Sequence, residues 1–208
     1  MRLDLSYAVR QLARHMSKPG ALHLQLAKRI LQYLKGTTLM GILYNSTNHE
    51  GTNAYTLYSD ATWGTKSDRV SFQGWAAIRA NGAILWMVQR QRFTAQSLLE
   101  AEFMLGSETS KEAAWLEKLT DNLKEEYKSP PILFIDNLGG MDLIYNYKFY
   151  KKLKHIDIRY NYIRTDMVQA QRLRVEHIPG DEQPADILTK QLPVDQFRKH
   201  INTLGMRI

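Results

Sequence analysis

Cysteine is absent from this chain, which excludes disulfides and thiolate zinc sites and leaves carboxylate and imidazole groups to hold any metal. No apolar run approaches the ~20 residues that span a bilayer. The first residues lack the apolar core of a signal peptide, and neither an internal repeat nor a low-complexity tract is present. These absences lead us to expect an intracellular protein of cytoplasm or nucleus, with no membrane as partner. Positive charge is in excess: 28 Lys and Arg face 21 Asp and Glu, a formal net charge of +7. Such a balance favours a polyanionic partner. With 208 residues, 44% of them hydrophobic, the chain suffices for one sizeable core and an appendage.

Residues 3–16 set Leu5, Val9, Leu12 and Met16 on one helical face before Pro19-Gly20 breaks the pattern. A second helix sets Leu24, Ala27, Leu31 and Leu34 on a stripe and stops at Gly36. Two such helices cannot bury both stripes against each other, so they are expected to lie on the rest of the chain or on another partner. The polar stretch Asn45–Asn53 is taken as a boundary, giving a helical segment over 1–45 and a main domain over 54–208.

In that domain Tyr55–Trp63 reads as a strand, with Tyr55 and Leu57 alternating against Thr56, Tyr58 and Asp60. Residues 70–79 and 83–88 form a hairpin through Asn81-Gly82. A helical period runs from Ser97 to about Tyr127, with Leu98, Glu102, Leu105, Leu116, Leu119 and Leu123 on one stripe. Glu102 shares that stripe, whereas Glu100, about 200° around the helix, is expected to face away. Ile132–Ile135 is a short apolar run of the buried parallel kind, followed by Asp136-Asn137. Residues 142–170 read as a basic helix, Arg172–Ile178 as a last strand, and Ala185–Leu192 as a helix with Asp186 in its first turn.

Each acid has an ordinary explanation by itself. Asp60 can end an edge strand, Asp136 can cap a helix, and Asp186 can stabilise a helix dipole. A carboxylate on a buried stripe, as at Glu102, must be neutralised, paired or bound to a cation. Four acids converging on one point would suit phosphodiester hydrolysis with two Mg²⁺ ions about 4 Å apart.

The motifs Ser59-Asp60-Ala61, Glu100-Ala101-Glu102-Phe103, Asp136-Asn137, Lys154-His155-Ile156-Asp157-Ile158-Arg159-Tyr160 and Ala185-Asp186-Ile187-Leu188-Thr189-Lys190 resemble the ribonuclease H domain of copia-type retrotransposon polyproteins. Residues 2–36 similarly resemble the tail of the reverse transcriptase region that precedes it. The resemblance implies an α/β ribonuclease H-like fold: a mixed five-stranded sheet of order 3-2-1-4-5 flanked by helices, with a two-helix appendage. It implies cleavage of the RNA strand of RNA–DNA hybrids by Asp60, Glu102, Asp136 and Asp186 with Mg²⁺, or Mn²⁺ in its stead. It also implies an assisting histidine at His177. A polymerase core that helps hold the hybrid has no counterpart here, so the chain is expected to be a fragment. A catalytically silent remnant that only binds nucleic acid is the alternative. For the grip on nucleic acid we single out Lys148, Lys151, Lys152, Lys154, Arg159 and Arg164, interleaved with tyrosines. The chain departs from the family at Leu138-Gly139-Gly140, where two glycines each weaken a helix start by about 1 kcal/mol, and at Ser97-Leu98-Leu99.

Overall fold

The computed structural model describes residues 1–45, 55–62, 71–91, 97–125, 129–146 and 162–207. Helix α1 (Ser6–Ala13) and helix α2 (Ala21–Gly36) precede a two-residue strand β1 (Gly41–Ile42). Strands β2 (Thr56–Ala61), β3 (Phe72–Arg79) and β4 (Gly82–Arg90) follow, then the long helix α3 (Leu98–Asn122), strand β5 (Ile132–Ile135) and helix α4 (Leu138–Tyr145). A π-helical segment (Tyr162–Gln169), strand β6 (Arg174–His177), helices α5 (Asp186–Thr189) and α6 (Val194–Thr203), and strand β7 (Met206–Arg207) complete the chain. Of the basic residues singled out above, only Arg164 lies within the described residues.

Five strands form one sheet in the order β4-β3-β2-β5-β6. Counted from β2 as the first, this is the expected order 3-2-1-4-5. β2 pairs antiparallel with β3 and parallel with β5, and β5 pairs parallel with β6, so the sheet is mixed. The parallel trio β2, β5 and β6 ends on one edge of the domain, and this common edge determines where the acids meet.

Side-chain alternation along the strands builds two cores, one on each face of the sheet. Trp75 and Ala77 join Leu57, Ala101, Phe103, Leu105, Leu116 and Leu133 under α3. Their neighbour Ala76 instead faces Leu3, Ala83, Ile187, Leu188, Ile201, Leu204 and Met206. Leu3 is fully buried there, and the indole of Trp86 on β4 donates to the Ser6 hydroxyl of α1 at 3.1 Å. Arg2 donates to the Asp4 carboxylate and to the Thr37 carbonyl, fixing the end of α2 to the start of the chain. The start of the chain therefore packs on the domain, while the outer stripe of the helices does not: Leu24 is 60% and Leu31 64% exposed.

The basic helix expected over 142–170 is not continuous: α4 ends at Tyr145, Asn146 is extended, 147–161 lie outside the described residues and Tyr162–Gln169 is π-helical. The helix expected over Ala185–Leu192 is only the single turn α5, because Lys190 is already extended. Two further features differ from the sequence expectation. The hairpin turns at Ala80 and Asn81, both with positive φ, in the manner of a type I′ turn. Gly82 is already the first residue of β4 and pairs with Arg79. The tip of this hairpin is then held by the chain's end. β7 pairs antiparallel with β1, Ala83 N–H donates to the Leu204 carbonyl at 3.0 Å, and Gly205 adopts φ +84. A side chain at 205 would lie 2.3 Å from the Asn81 carbonyl oxygen, so glycine is required there both for its conformation and for its closeness.

The second difference concerns α3. Leu98, Leu119 and Leu123 of the expected stripe are exposed, and Glu100, expected to face away, is buried along with Glu102. The single-stripe picture fails because α3 is enclosed on more than one side, by the sheet, by α4 and by the π-helical segment.

Candidate active site

Asp60 lies near the carboxyl end of β2, Asp136 immediately follows β5, and His177 is the last residue of β6. Three adjacent parallel strands thus deliver one polar group each to the same edge, the usual location of sites in α/β sheets. Glu102 comes to this edge from the first turns of α3, whose start is fixed by the Ser97 hydroxyl accepting the Glu100 amide at 3.2 Å. One oxygen from each of Asp60, Glu102 and Asp136 falls within 4.8 Å of the others. The trio lines a cleft of about 560 Å³ together with His177, Lys190 and the first residues of α4.

Local chemistry explains why Asp136 is free for this role. The side chain that caps α4 is Asn137, which accepts the Gly140 amide at 3.1 Å, so the capping duty that Asp136 alone would suggest falls to its neighbour. The helix forms despite its two glycines, and a side chain at Gly139 would meet Leu99 of α3 at 2.9 Å. Small residues here let α4 approach α3 beside Glu102.

Asp60 is buried and occupied on both oxygens. Its Oδ2 accepts from the Thr189 hydroxyl, and its Oδ1 lies 3.0 Å from Lys190 Nζ. The same ammonium lies 2.9 Å from Asp186 Oδ1. Asp186, the fourth expected acid, therefore joins the site through Lys190 and not as a member of the close trio. Gly74, the β3 partner of Asp60, makes this possible. A side chain there would lie 2.6 Å from Leu188 Cβ, and only its absence lets α5 lie against the sheet. Gln183, fully buried, donates to the Ser59 carbonyl at 3.0 Å and anchors the turn before α5 to β2.

Glu102 Oε1 accepts the Ala61 amide at 3.1 Å, whereas its buried Oε2 has no hydrogen-bond partner. Burial and the neighbouring Asp60 and Asp136 raise the Glu102 pKa well above the ordinary carboxyl value. Asp136 is raised by burial and by Asp60. Burial and then Asp60 push Asp186 up to about 7 against the opposing effect of Lys190. Burial by itself would lower the Lys190 pKa, but Asp60 and Asp186 outweigh it and raise the ammonium above its ordinary value. Burial is the largest cause for all three raised acids, and the charge of Asp60 is the next. A hard divalent cation at Asp60, Glu102 and Asp136 would offset both with oxygen ligands alone, which suits three carboxylates of which Glu102 keeps an unpartnered oxygen.

His177 is exposed on the rim, with Nε2 3.2 Å from the Asp136 carbonyl oxygen. Arg164 donates to the Tyr145 carbonyl at 3.2 Å. Thr189 and Lys190 belong to the Ala185–Lys190 motif, which by itself gives them no separate role. The spacing of Asp186 and Lys190, four apart on a helix, was the signal that they meet.

Sheet order and acidic edge together define a ribonuclease H-like α/β domain. Its relatives narrow this further, for the chain is homologous over nearly its whole length to part of the copia-type retrotransposon Pol polyproteins. The retrovirus-related Pol polyprotein from transposon RE1 of Arabidopsis thaliana is 38% identical over 206 residues, covering 99% of this chain and 14% of that polyprotein. The corresponding polyprotein from transposon TNT 1-94 of Nicotiana tabacum is 34% identical over 211 residues, 99% of this chain and 15% of its own length. The chain thus spans about one seventh of the length of these two polyproteins. No protein-family model matches it. Among solved structures, the PFV RNase H domain superposes with a TM-score of 0.47 at 14% identity, over 74% of this chain and 91% of that domain. Among the described residues no helix is long and apolar enough to cross a membrane.

Proposed function

We propose that this chain is a metal-dependent endoribonuclease that cleaves the RNA strand of RNA–DNA hybrids. The observation that carries the reading is the carboxylate trio, buried at Asp60 and Glu102 and half-buried at Asp136, drawn from β2, α3 and the end of β5, with an oxygen of Glu102 left unpartnered. Asp60, Glu102 and Asp136 would hold Mg²⁺, with Mn²⁺ as the substitute. When bound, the ion stabilises negative charge on a phosphate and makes a water more acidic. The choice of hybrid as substrate follows from the copia-type resemblance.

The remaining work belongs to the chain itself. The Ala61 amide orients Glu102, and Thr189 and Lys190 orient Asp60. His177 at the rim is suited to carry a proton between the reacting groups and solvent as water's oxygen bonds to phosphorus and a ribose oxygen leaves. Residues 1–45 are read as the end of a polymerase region and 54–208 as the nuclease. Lys148, Lys151, Lys152, Lys154 and Arg159, outside the described residues, together with Arg164, are proposed to grip the phosphates. Replacing Lys151 and Lys152 by Ala is then expected to lower the log–log salt slope of hybrid binding by up to about 2.

The test is incubation of the whole chain with a labelled RNA–DNA hybrid and Mg²⁺ or Mn²⁺, with duplex DNA and duplex RNA as controls. Cleavage confined to the hybrid, lost on chelation and lost in Asp136→Asn, is the expected result. Hybrid binding with no cleavage under either ion favours a silent remnant.

A further inference from the structure

We propose that Lys190 is a built-in cation, carried by the protein at the position where a second divalent ion would bridge Asp60 and Asp186. The inference rests on the metallonuclease reading and refines it. Its ground is the asymmetry of the acid cluster. On the side of Glu102 and Asp136, a buried carboxylate oxygen has no partner. On the side of Asp60 and Asp186 the positive charge is already supplied, by an ammonium 3.0 Å from one carboxylate and 2.9 Å from the other.

The placement of that ammonium is built into the backbone. Lys190 caps the single-turn helix α5 just beyond its last residue, and its own amide donates to the Asp186 carbonyl at 2.8 Å, so main chain and side chain both return to the same aspartate. α5 is in turn pressed against β3 at Gly74 and tied to Asp60 by the Thr189 hydroxyl. A flexible lysine stem is thereby given a short, defined reach. A compact, strongly positive head group between two hard oxygens imitates an ion in charge and in ligand preference. It differs in being tethered, and an incoming ion must displace it before bridging the same pair.

Two consequences follow. The protein with Lys190 binds one divalent ion per chain readily, at Asp60, Glu102 and Asp136, and a second one poorly. Removing the ammonium without its replacement exposes Asp60 and Asp186 to each other's charge and creates a second ion site.

The experiment is calorimetric titration of the whole chain with Mn²⁺ in the absence of nucleic acid, comparing wild type with Lys190→Met and Lys190→Arg. Thermal melts at each Mn²⁺ concentration accompany it. Lys190→Met is expected to bind a second Mn²⁺ at least roughly tenfold more tightly than wild type, and its melting temperature to rise more steeply with Mn²⁺. Lys190→Arg keeps the charge and is expected to follow wild type. Equal stoichiometry and affinity in wild type and Lys190→Met overturn the inference while leaving the first ion site intact. Lys190→Met that stays unfolded in millimolar Mn²⁺ also overturns it, since the ion then does not replace the ammonium. Mn²⁺ binding to neither protein removes the metallonuclease reading, and the inference with it.

Discussion

The acid cleft and the outer face of α1 and α2 invert the ordinary distribution of polarity in opposite senses. In the cleft, charge is inside: Glu102 is 3% exposed and Asp60 1%. On the helices, apolar surface is outside, where Val9, Met16, Leu24 and Leu31 border a shallow groove of about 700 Å³. Each inversion costs free energy in the isolated chain. The cleft nevertheless specifies what would relieve its cost, because hard oxygens, raised carboxyl pKa values and a lysine between two acids all name a cation. The helical face asks only to be covered. Chemistry can be read from a polar site with far more resolution than from an apolar one.

The largest effect expected separates two neighbouring glutamates that burial alone does not distinguish. Glu102→Gln is expected to remove detectable hybrid cleavage, since it discharges a member of the trio. Glu100→Gln is expected to retain cleavage, because Glu100, though buried, is outside the cluster. Equal loss in a hybrid cleavage assay would show that burial on α3, and not membership of the trio, decides function.

Next in size is a test of where the N-terminal region stops being an appendage. Leu3 is fully buried among Ala76, Leu188 and Leu204, so Leu3→Ala is expected to cost about 2 to 5 kcal/mol. Denaturant unfolding measures it. A loss below about 1 kcal/mol would mean that the start of the chain is not part of the second core.

A smaller effect comes from a buried base in the same core. His200 has no exposed surface, and neither ring nitrogen has a hydrogen-bond partner; burial, and then nearby Lys199, lower its pKa from 6.5. The folded protein therefore refuses a proton that the unfolded chain accepts, so stability is full above 6.5 and falls as pH drops through that value. The raised acids of the cleft act in the opposite sense, adding stability as pH falls. His200→Leu isolates the histidine: in chelator, its stability relative to wild type is expected to improve progressively below pH 6.5. A difference between the two that does not change with pH would refute buried neutrality.

Strands and helices with strong local periods were legible in the sequence: Tyr55 and Leu57 alternating with Thr56 and Tyr58, the long α3, and the apolar β5. Sheet order came from the copia-type motifs. The β1–β7 ribbon was not legible, because two-residue strands carry no period and their pairing joins Gly41 to Arg207. Nor was α6, despite the apolar spacing of Val194, Phe197 and Ile201 after Pro193. Within the cleft, the acids were visible as charges in apolar surroundings. The Lys190 bridge required knowing that Gly74 lets α5 touch the sheet, a fact about distance that residue types do not carry.

The smallest expected effect on stability bears on the exposed face. Leu24 and Leu31 lie seven apart on α2, hence on one side of the helix, and both are more than half exposed. Lysine matches leucine closely in helix propensity. Replacing both by Lys therefore removes apolar surface without removing helix or core, and the change in unfolding free energy is expected to stay within about 0.5 kcal/mol. Self-association is expected to respond much more. A contiguous apolar patch drives contact between copies, and two added charges oppose it, so sedimentation velocity should show the variant monomeric at concentrations where wild type associates. If the variant instead unfolds at markedly lower denaturant, these leucines are buried in solution, and the contrast with the cleft disappears.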